Sequence, residues 1–231
     1  MKFIGPTLYL EKENALITGD LHIGLDHSIS ELGTLNPVIG LTEIKEKFLK
    51  IINKINKKLN YIILLGDIAN FFKPPSHKEI ELIKEFLNLF KDKTKELIII
   101  KGNHDKFIQK NVQDINLNLI ENFELEDYSF QHGDKIIPTT KKNIIIGHEH
   151  PAITLNNGIR TEKFKCIIIS KYKQQKLIVL PSFNNLTLGT DISKEKLISP
   201  YLSTKIVNES EIKVVDELKI YDFGKLKNLN K

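Results

Sequence analysis

Acidic, amide and imidazole side chains recur in five short groups along the 231-residue chain. Asp20 and His22 stand in G-D-L-H, Asp67 in G-D-I-A-N, Asn103 and His104 in G-N-H-D, His132 in H-G-D, and His148 with His150 in G-H-E-H-P. Five of the seven histidines fall in these groups, each beside a glycine. A lone D-x-H is more often a polar loop end than a ligand, so no single group decides anything. Taken together, carboxylate and imidazole donors without thiolates suit manganese, iron, zinc, nickel or cobalt rather than a structural zinc cage. Two such ions about 3.5–4 Å apart can hold a bridging hydroxide and clamp both sides of an in-line displacement at phosphorus. One carboxylate must then be shared between the ions, and an aspartate at the end of a central strand is the natural candidate. His148 and His150, two apart, point to opposite sides of an extended chain. They reach different ions from one loop if the chain turns at Glu149.

The elements that must position these groups are short apolar runs. Ala15 to Thr18, Tyr61 to Leu65, Leu97 to Lys101, Tyr128 to Gln131 and Asn143 to Ile146 each read as a strand, and each leads directly into one of the groups. Ile44, Phe48, Ile51, Ile52, Ile55 and Leu59 share one face at helical spacing. A second helix starts at P-P-S-H-K-E, where Ser76 and Glu79 have the spacing of a capping box, with Ile80, Ile83, Leu87 and Leu89 or Phe90 as its apolar face. Alternation of strand and helix predicts an α/β chain with a mainly parallel central sheet. After Pro151 the runs Phe164 to Ser170, Lys176 to Leu180 and Ile212 to Phe223 have no long helix between them, which predicts a second, more antiparallel sheet contributed mainly by residues after about 151. Residues 114–127 are ambiguous, and the tail from Gly224 is expected to fray. With no repeat and no low-complexity linker, residues 1–231 read as a single domain.

Composition excludes more than it selects. The chain is 41% hydrophobic and 27% charged, a globular balance. No apolar run has the length of a membrane-spanning helix, and Gly5-Pro6 interrupts the N-terminus before any signal-peptide core. The single Cys166 rules out an intramolecular disulfide and fits a reducing cytoplasm. A net charge of +5 suits anionic partners, but Lys, Ile and Asn are enriched throughout, as codon bias produces, rather than in a patch.

The ordered set G-D-L-H, G-D-x-x-N, G-N-H-D, H-G-D and G-H-E-H-P resembles the calcineurin-like metallophosphoesterase superfamily. D-L-H-I-G-L-D-H-S-I-S-E-L-G, the G-H-E-H-P-A ending and P-S-F-N-N-L-T-L-G-T-D resemble one branch of it, the small archaeal and bacterial phosphoesterases related to the SbcD nuclease, including the ligase-associated group. The resemblance runs roughly from Ala15 to Ile192. It implies a four-layer αββα sandwich with the site at the C-terminal strand ends. It further implies that Asp20, His22, Asp67 and His150 hold one divalent ion, and that Asp67 bridges to a second held by Asn103, His132 and His148. Manganese is the first choice of metal. His104 matches the histidine that assists the leaving group, and Asp105 is its expected orienting partner. Asn70 stands where many members have an acidic residue, and H-G-D replaces the commoner H-G-H, which bears on substrate preference and not on the ligand set.

The remaining residues carry weaker signals. His27, in the loop after the first pair, either lines the pocket or is simply a solvated loop histidine, and Arg160, the single arginine, either forks onto a phosphate or braces its loop. Phe71, Phe72 and Lys73 either rim the entrance or anchor a loop. His77 reads as an exposed first-turn residue and Cys166 as a small buried hydrophobe. Asn184, Asn185 and Thr187 read as turn caps near the site. The expected function is hydrolysis of a nucleotide-like or short nucleic-acid phosphodiester by a metal-bridging hydroxide. Its alternatives are a nuclease acting on ends or single strands, a phosphomonoesterase, and a non-catalytic scaffold on the same fold. A ligase or repair protein as partner follows from the branch analogy only.

Overall fold

A computed structural model describes residues 1–25, 40–69, 75–90, 92–108, 119–156, 158 and 160–229. Two β-sheets face one another. The first has the order β1 (Lys2–Ile4), β2 (Thr7–Leu10), β3 (Ala15–Thr18), β4 (Leu59–Leu64), β5 (Thr94–Ile100) and β6 (Leu119–Ile120). Pairing is antiparallel from β1 to β3 and parallel from β3 to β6. The second sheet is built on β7 (Asn122–Leu125), β8 (Tyr128–Gln131), β9 (Asn143–Ile146), β10 (Pro151–Asn156), β11 (Thr161–Tyr172), β12 (Gln175–Val179) and β13 (Thr190–Asp191), with β14 (Glu211–Asp216) and β15 (Lys219–Lys225) added through β11.

The strands are apolar on both faces because both faces are covered. In β3 and β4, Leu16, Ile62 and Leu64 face the helices α1 (Gly40–Ile55) and α2 (His77–Asn88), while Ile17 and Ile63 face the second sheet. In β9 the alternation repeats, with Ile145 between the sheets and Ile144 and Ile146 on the outer face. That outer face is covered by α3 (Thr204–Asn208) through Val207 and by a 3₁₀ turn at Leu226–Asn228 through Leu226. The layers are therefore helix, sheet, sheet and a short helical cover. Among the described residues, no helix is long and apolar enough to cross a membrane.

Several expectations are corrected. The five motif-bearing strands are divided between the sheets: β3, β4 and β5 lie in the first, β8 and β9 in the second. The second sheet begins at Asn122, takes most of its strands from Pro151 onward, and contains the parallel pairs β8–β9 and β9–β12. Leu59 keeps helical spacing with Ile55 but starts β4, because the chain turns at residues 56–58. Ile212 to Phe223 is a hairpin of two strands, turning at Glu217 with φ 50°. Phe86, absent from the expected apolar face of α2, is fully buried there, and the helix stops before Phe90. The tail does not fray at Gly224, since burial of Leu226 docks it on the second sheet. The Ser76–Glu79 capping box is present, Cys166 is buried and His77 is exposed.

Candidate metal centre

The five groups converge where the two sheets end together. Past β3 and β4 the chains remain paired, through His22 N–H to the Asp67 carbonyl (2.9 Å) and Ile23 N–H to the Ile68 carbonyl (2.8 Å). Past β9, Gly147 N–H donates to the His132 carbonyl at 2.9 Å. The backbone approaches are tight enough to demand glycine. A Cβ on Gly102 would fall 2.2 Å from Asp67 Oδ1, and one on Gly147 would fall 2.5 Å from Asp20 Oδ2.

Two sets of donor atoms result, each within 4.8 Å: Asp20, His22, Asp67 and His150, and Asp67, His132 and His148. Asp67 belongs to both. Asn103 joins the second set, its Oδ1 2.9 Å from His132 Nε2. The sheets thus bring together all seven side chains that the motifs nominate as ligands. Asp20, Asp67 and His132 are almost entirely buried, and His148 and His150 are half-buried.

The donor geometry fits cations. His22 Nε2 lies 3.2 Å from His150 Nε2, and His148 Nδ1 lies 3.2 Å from His132 Nε2. Metal–nitrogen bonds of about 2.0–2.1 Å place neighbouring ligand nitrogens about 3–3.4 Å apart. His132 Nδ1–H donates to the Leu65 carbonyl at 2.8 Å, which orients the ring and leaves Nε2 facing the donors. His22 Nδ1 is buried with no hydrogen-bond partner among the described residues.

Electrostatics agree. Burial, reinforced by His150, lowers the His22 pKa to about 4, so its nitrogen lone pair is available at neutral pH. Burial favours the neutral form of Asp67, but hydrogen bonding and charge from His132 outweigh it and hold the carboxyl below its ordinary range. Burial likewise opposes protonation of His132, yet its bond to Asp67 and the charges of Asp20 and Asp67 raise it to about 9. A proton on His132 is the smallest cation these two carboxylates can recruit.

Five of the seven nominated ligands, Asp20, His22, Asp67, His148 and His150, have φ between 43° and 64°. Such left-handed conformations are uncommon for these side chains and persist only where surrounding structure imposes them. Asn184 is part of that structure: its Nδ2 donates to the carbonyls of Leu21 (3.0 Å) and His22 (3.1 Å), while its Oδ1 accepts from Leu186 N–H. The turn-cap reading of Asn184 found its local bond and missed the long-range ones. Glu149, fully buried between the two histidines, accepts from Ile198 N–H (3.0 Å) and Ser199 N–H (2.8 Å).

His104 stands beside the first donor set, its ring centre 5.5 Å from that of His22, and its backbone N–H donates to Asp67 Oδ1 at 2.9 Å. Asp105 is buried and accepts from the N–H groups of Ile68 (2.9 Å), Ala69 (3.5 Å) and Gly102 (2.9 Å), tying the Asp67 loop to the Asn103 loop. Arg160 is exposed just before β11, the length of β10 away from His150, so it is not among the convergent side chains. His27, Asn70, Phe71, Phe72 and Lys73 lie outside the described residues.

The family model for calcineurin-like phosphoesterases matches residues 14–215. Among solved structures, the chain is similar to the Pseudomonas putida nuclease MPE, with a TM-score of 0.65 and 17% identity over 94% of this chain and 92% of that one. The E. coli phosphoesterase YfcE aligns over 91% of this chain and 98% of that one, at 13% identity and a TM-score of 0.45. No curated protein sequence matches the chain. With the family model covering most of both sheets and every strand end that carries a donor, the chain belongs to the calcineurin-like phosphoesterase family.

Proposed function

We propose that this phosphoesterase is a dinuclear-metal phosphodiesterase whose substrate is a nucleotide or a short nucleic-acid segment. The observation that carries the reading is the pair of donor sets sharing Asp67. Two divalent cations, manganese first among them, would supply a water activated for attack and positive charge at the phosphoryl oxygens. Asp20, His22 and His150 would hold one cation, and Asn103, His132 and His148 the other. Asp67, whose carboxylate belongs to both donor sets, would be shared between the two cations.

His104 is half-buried at the edge of the first set, which suits a group that meets substrate rather than metal. Its role would be to give a proton to the departing oxygen. Asp105 positions it indirectly, by fixing the loop on which His104 stands. A diester is favoured over a monoester because the sequence resembles the SbcD-related branch; proton donation by His104 would serve either ester, since both expel an alkoxide. The neighbour MPE is described as a nuclease, and at 17% identity that likeness supports the fold alone.

The test is turnover of chelator-stripped protein refilled separately with Mn²⁺, Ni²⁺, Zn²⁺ or Mg²⁺, on bis-p-nitrophenyl phosphate beside p-nitrophenyl phosphate. Metal-dependent cleavage faster on the diester is the expected result. Preference for the monoester would make the protein a phosphatase, and two bound ions without turnover would make it a scaffold.

A further inference from the structure

Lys47 on α1 and Lys165 on β11 are far apart in sequence, yet both amines end on the segment between β12 and β13. Lys47 Nζ donates to the Phe183 carbonyl at 3.0 Å and to Asn185 Oδ1 at 2.8 Å, and stands 4.8 Å above the centre of the Phe183 ring. Lys165 Nζ donates to the Ser182 carbonyl at 2.7 Å and to the Asn184 carbonyl. Three successive carbonyls, those of residues 182–184, are therefore held by amines. Burial makes this arrangement costly, and the neighbouring Lys47 charge adds to that cost at Lys165. Two amines placed side by side against carbonyls call for an explanation beyond packing.

The opposite face of the same segment supplies one. Ser182 Oγ donates to the Asp20 carbonyl at 2.8 Å, Phe183 N–H to the Gly19 carbonyl at 3.1 Å, and Asn184 Nδ2 to the carbonyls of Leu21 and His22. Every one of these bonds ends on the loop whose Asp20 (φ 53°) and His22 (φ 43°) are left-handed. The segment thus has a front that grips the ligand loop and a back that is gripped by lysines. Those bonds reach the loop of the first donor set and leave Asn103 and His132 untouched.

We propose that Lys47 and Lys165 are positioning residues that set the cation affinity of the first donor set, acting through residues 182–185 on Asp20 and His22. The proposal rests on the reading of those two residues as ligands. Behind the segment lies a cavity of about 490 Å³, lined by Lys47, Lys165 and Asn185 among others. Water can therefore enter where a shortened side chain withdraws.

The experiment is calorimetric titration of chelator-stripped protein with Mn²⁺, comparing wild type, Lys47→Met, Lys165→Met and Asn184→Ala. His22→Ala identifies which binding step belongs to the first set. All three variants should weaken that step by about tenfold or more, as loss of an outer support does. The other step should stay within about twofold, and kcat should recover at excess Mn²⁺. Asn184→Ala keeps the test decisive if a lysine variant does not fold. Unchanged affinity at both steps overturns the proposal, as does equal weakening of both together with a lowered Tm, which marks general loosening. A wild type that binds no Mn²⁺ at all removes the metal reading itself, and the proposal with it.

Discussion

The two halves of the candidate metal centre share Asp67 but are held by different means. The first half, Asp20, His22 and His150, is left-handed at all three positions, and the Asp20–His22 loop is tied to residues about 160 positions away in sequence. In the second half, Asn103 and His132 have ordinary backbone, and His132 follows β8 directly with its ring bonded to the Leu65 carbonyl. Only His148 is left-handed there, at φ 64°. One half depends on distant chain for its shape, while the other is placed mainly by the strands that end beside it. The first half should therefore be the one whose metal affinity responds to changes outside the site.

The largest test of that contrast is a change that ignores it. Asp67→Asn removes the shared carboxylate, so both ions and turnover should be lost, beyond the ~100-fold ceiling of an outer-support change. Retention of one ion, by metal analysis after gel filtration, would show that the halves are independent. His104→Ala should keep both ions yet lower kcat by about 10²–10⁴-fold if it is the proton donor. Loss of metal in that variant would move His104 into the ligand set.

Asp105→Asn probes the loops that join the halves. It replaces an acceptor of three backbone N–H groups with an amide that accepts on one atom only. Stability in urea should fall by about 1–3 kcal/mol. An unchanged midpoint would mean that the Asn103 loop is held by other contacts.

The smallest effect expected is a pH dependence belonging to the first half's supports. Burial lowers the Lys47 pKa to about 8, against the pull of Glu43 and Glu217, and Lys165 faces it from β11. The unfolded chain then binds more protons than the native one between about pH 8 and the ordinary lysine range, so wild-type stability rises with pH across that window. Lys47→Met lacks the share of that rise due to Lys47 and keeps the share due to Lys165. From pH 7.5 to 9.5 the wild type should gain about 1–2 kcal/mol on the variant. Parallel urea midpoints across that range would show that Lys47 is as well solvated in the native state as in the unfolded one.

The motif chemistry was legible from the chain alone because it is local. An apolar run, a glycine and a charged or imidazole side chain lie within a few residues, and the runs Ala15–Thr18, Tyr128–Gln131 and Asn143–Ile146 coincide with β3, β8 and β9. The same locality made the capping box readable at Ser76 and Glu79. Family resemblance then supplied the grouping of donors, which spacing alone left open. Strand partners depend on contacts across the whole chain, and nothing near Phe130 or Ile145 states that these residues face Ile63 across a second sheet. Leu59 and Ile55 keep helical spacing although only one is helical, since the turn between them is set by where β4 must begin. Lys47 and Lys165 carry no motif, Ser182 stands in a stretch that marks only the branch resemblance, and their part in the site exists only once α1, β11 and the segment after β12 meet. Sequence by itself determined the donors and the kind of chemistry they can do. Tertiary structure decided which backbone they stand on and what holds it there, because left-handed φ angles and buried amines are stable only in the company of groups that lie far away along the chain.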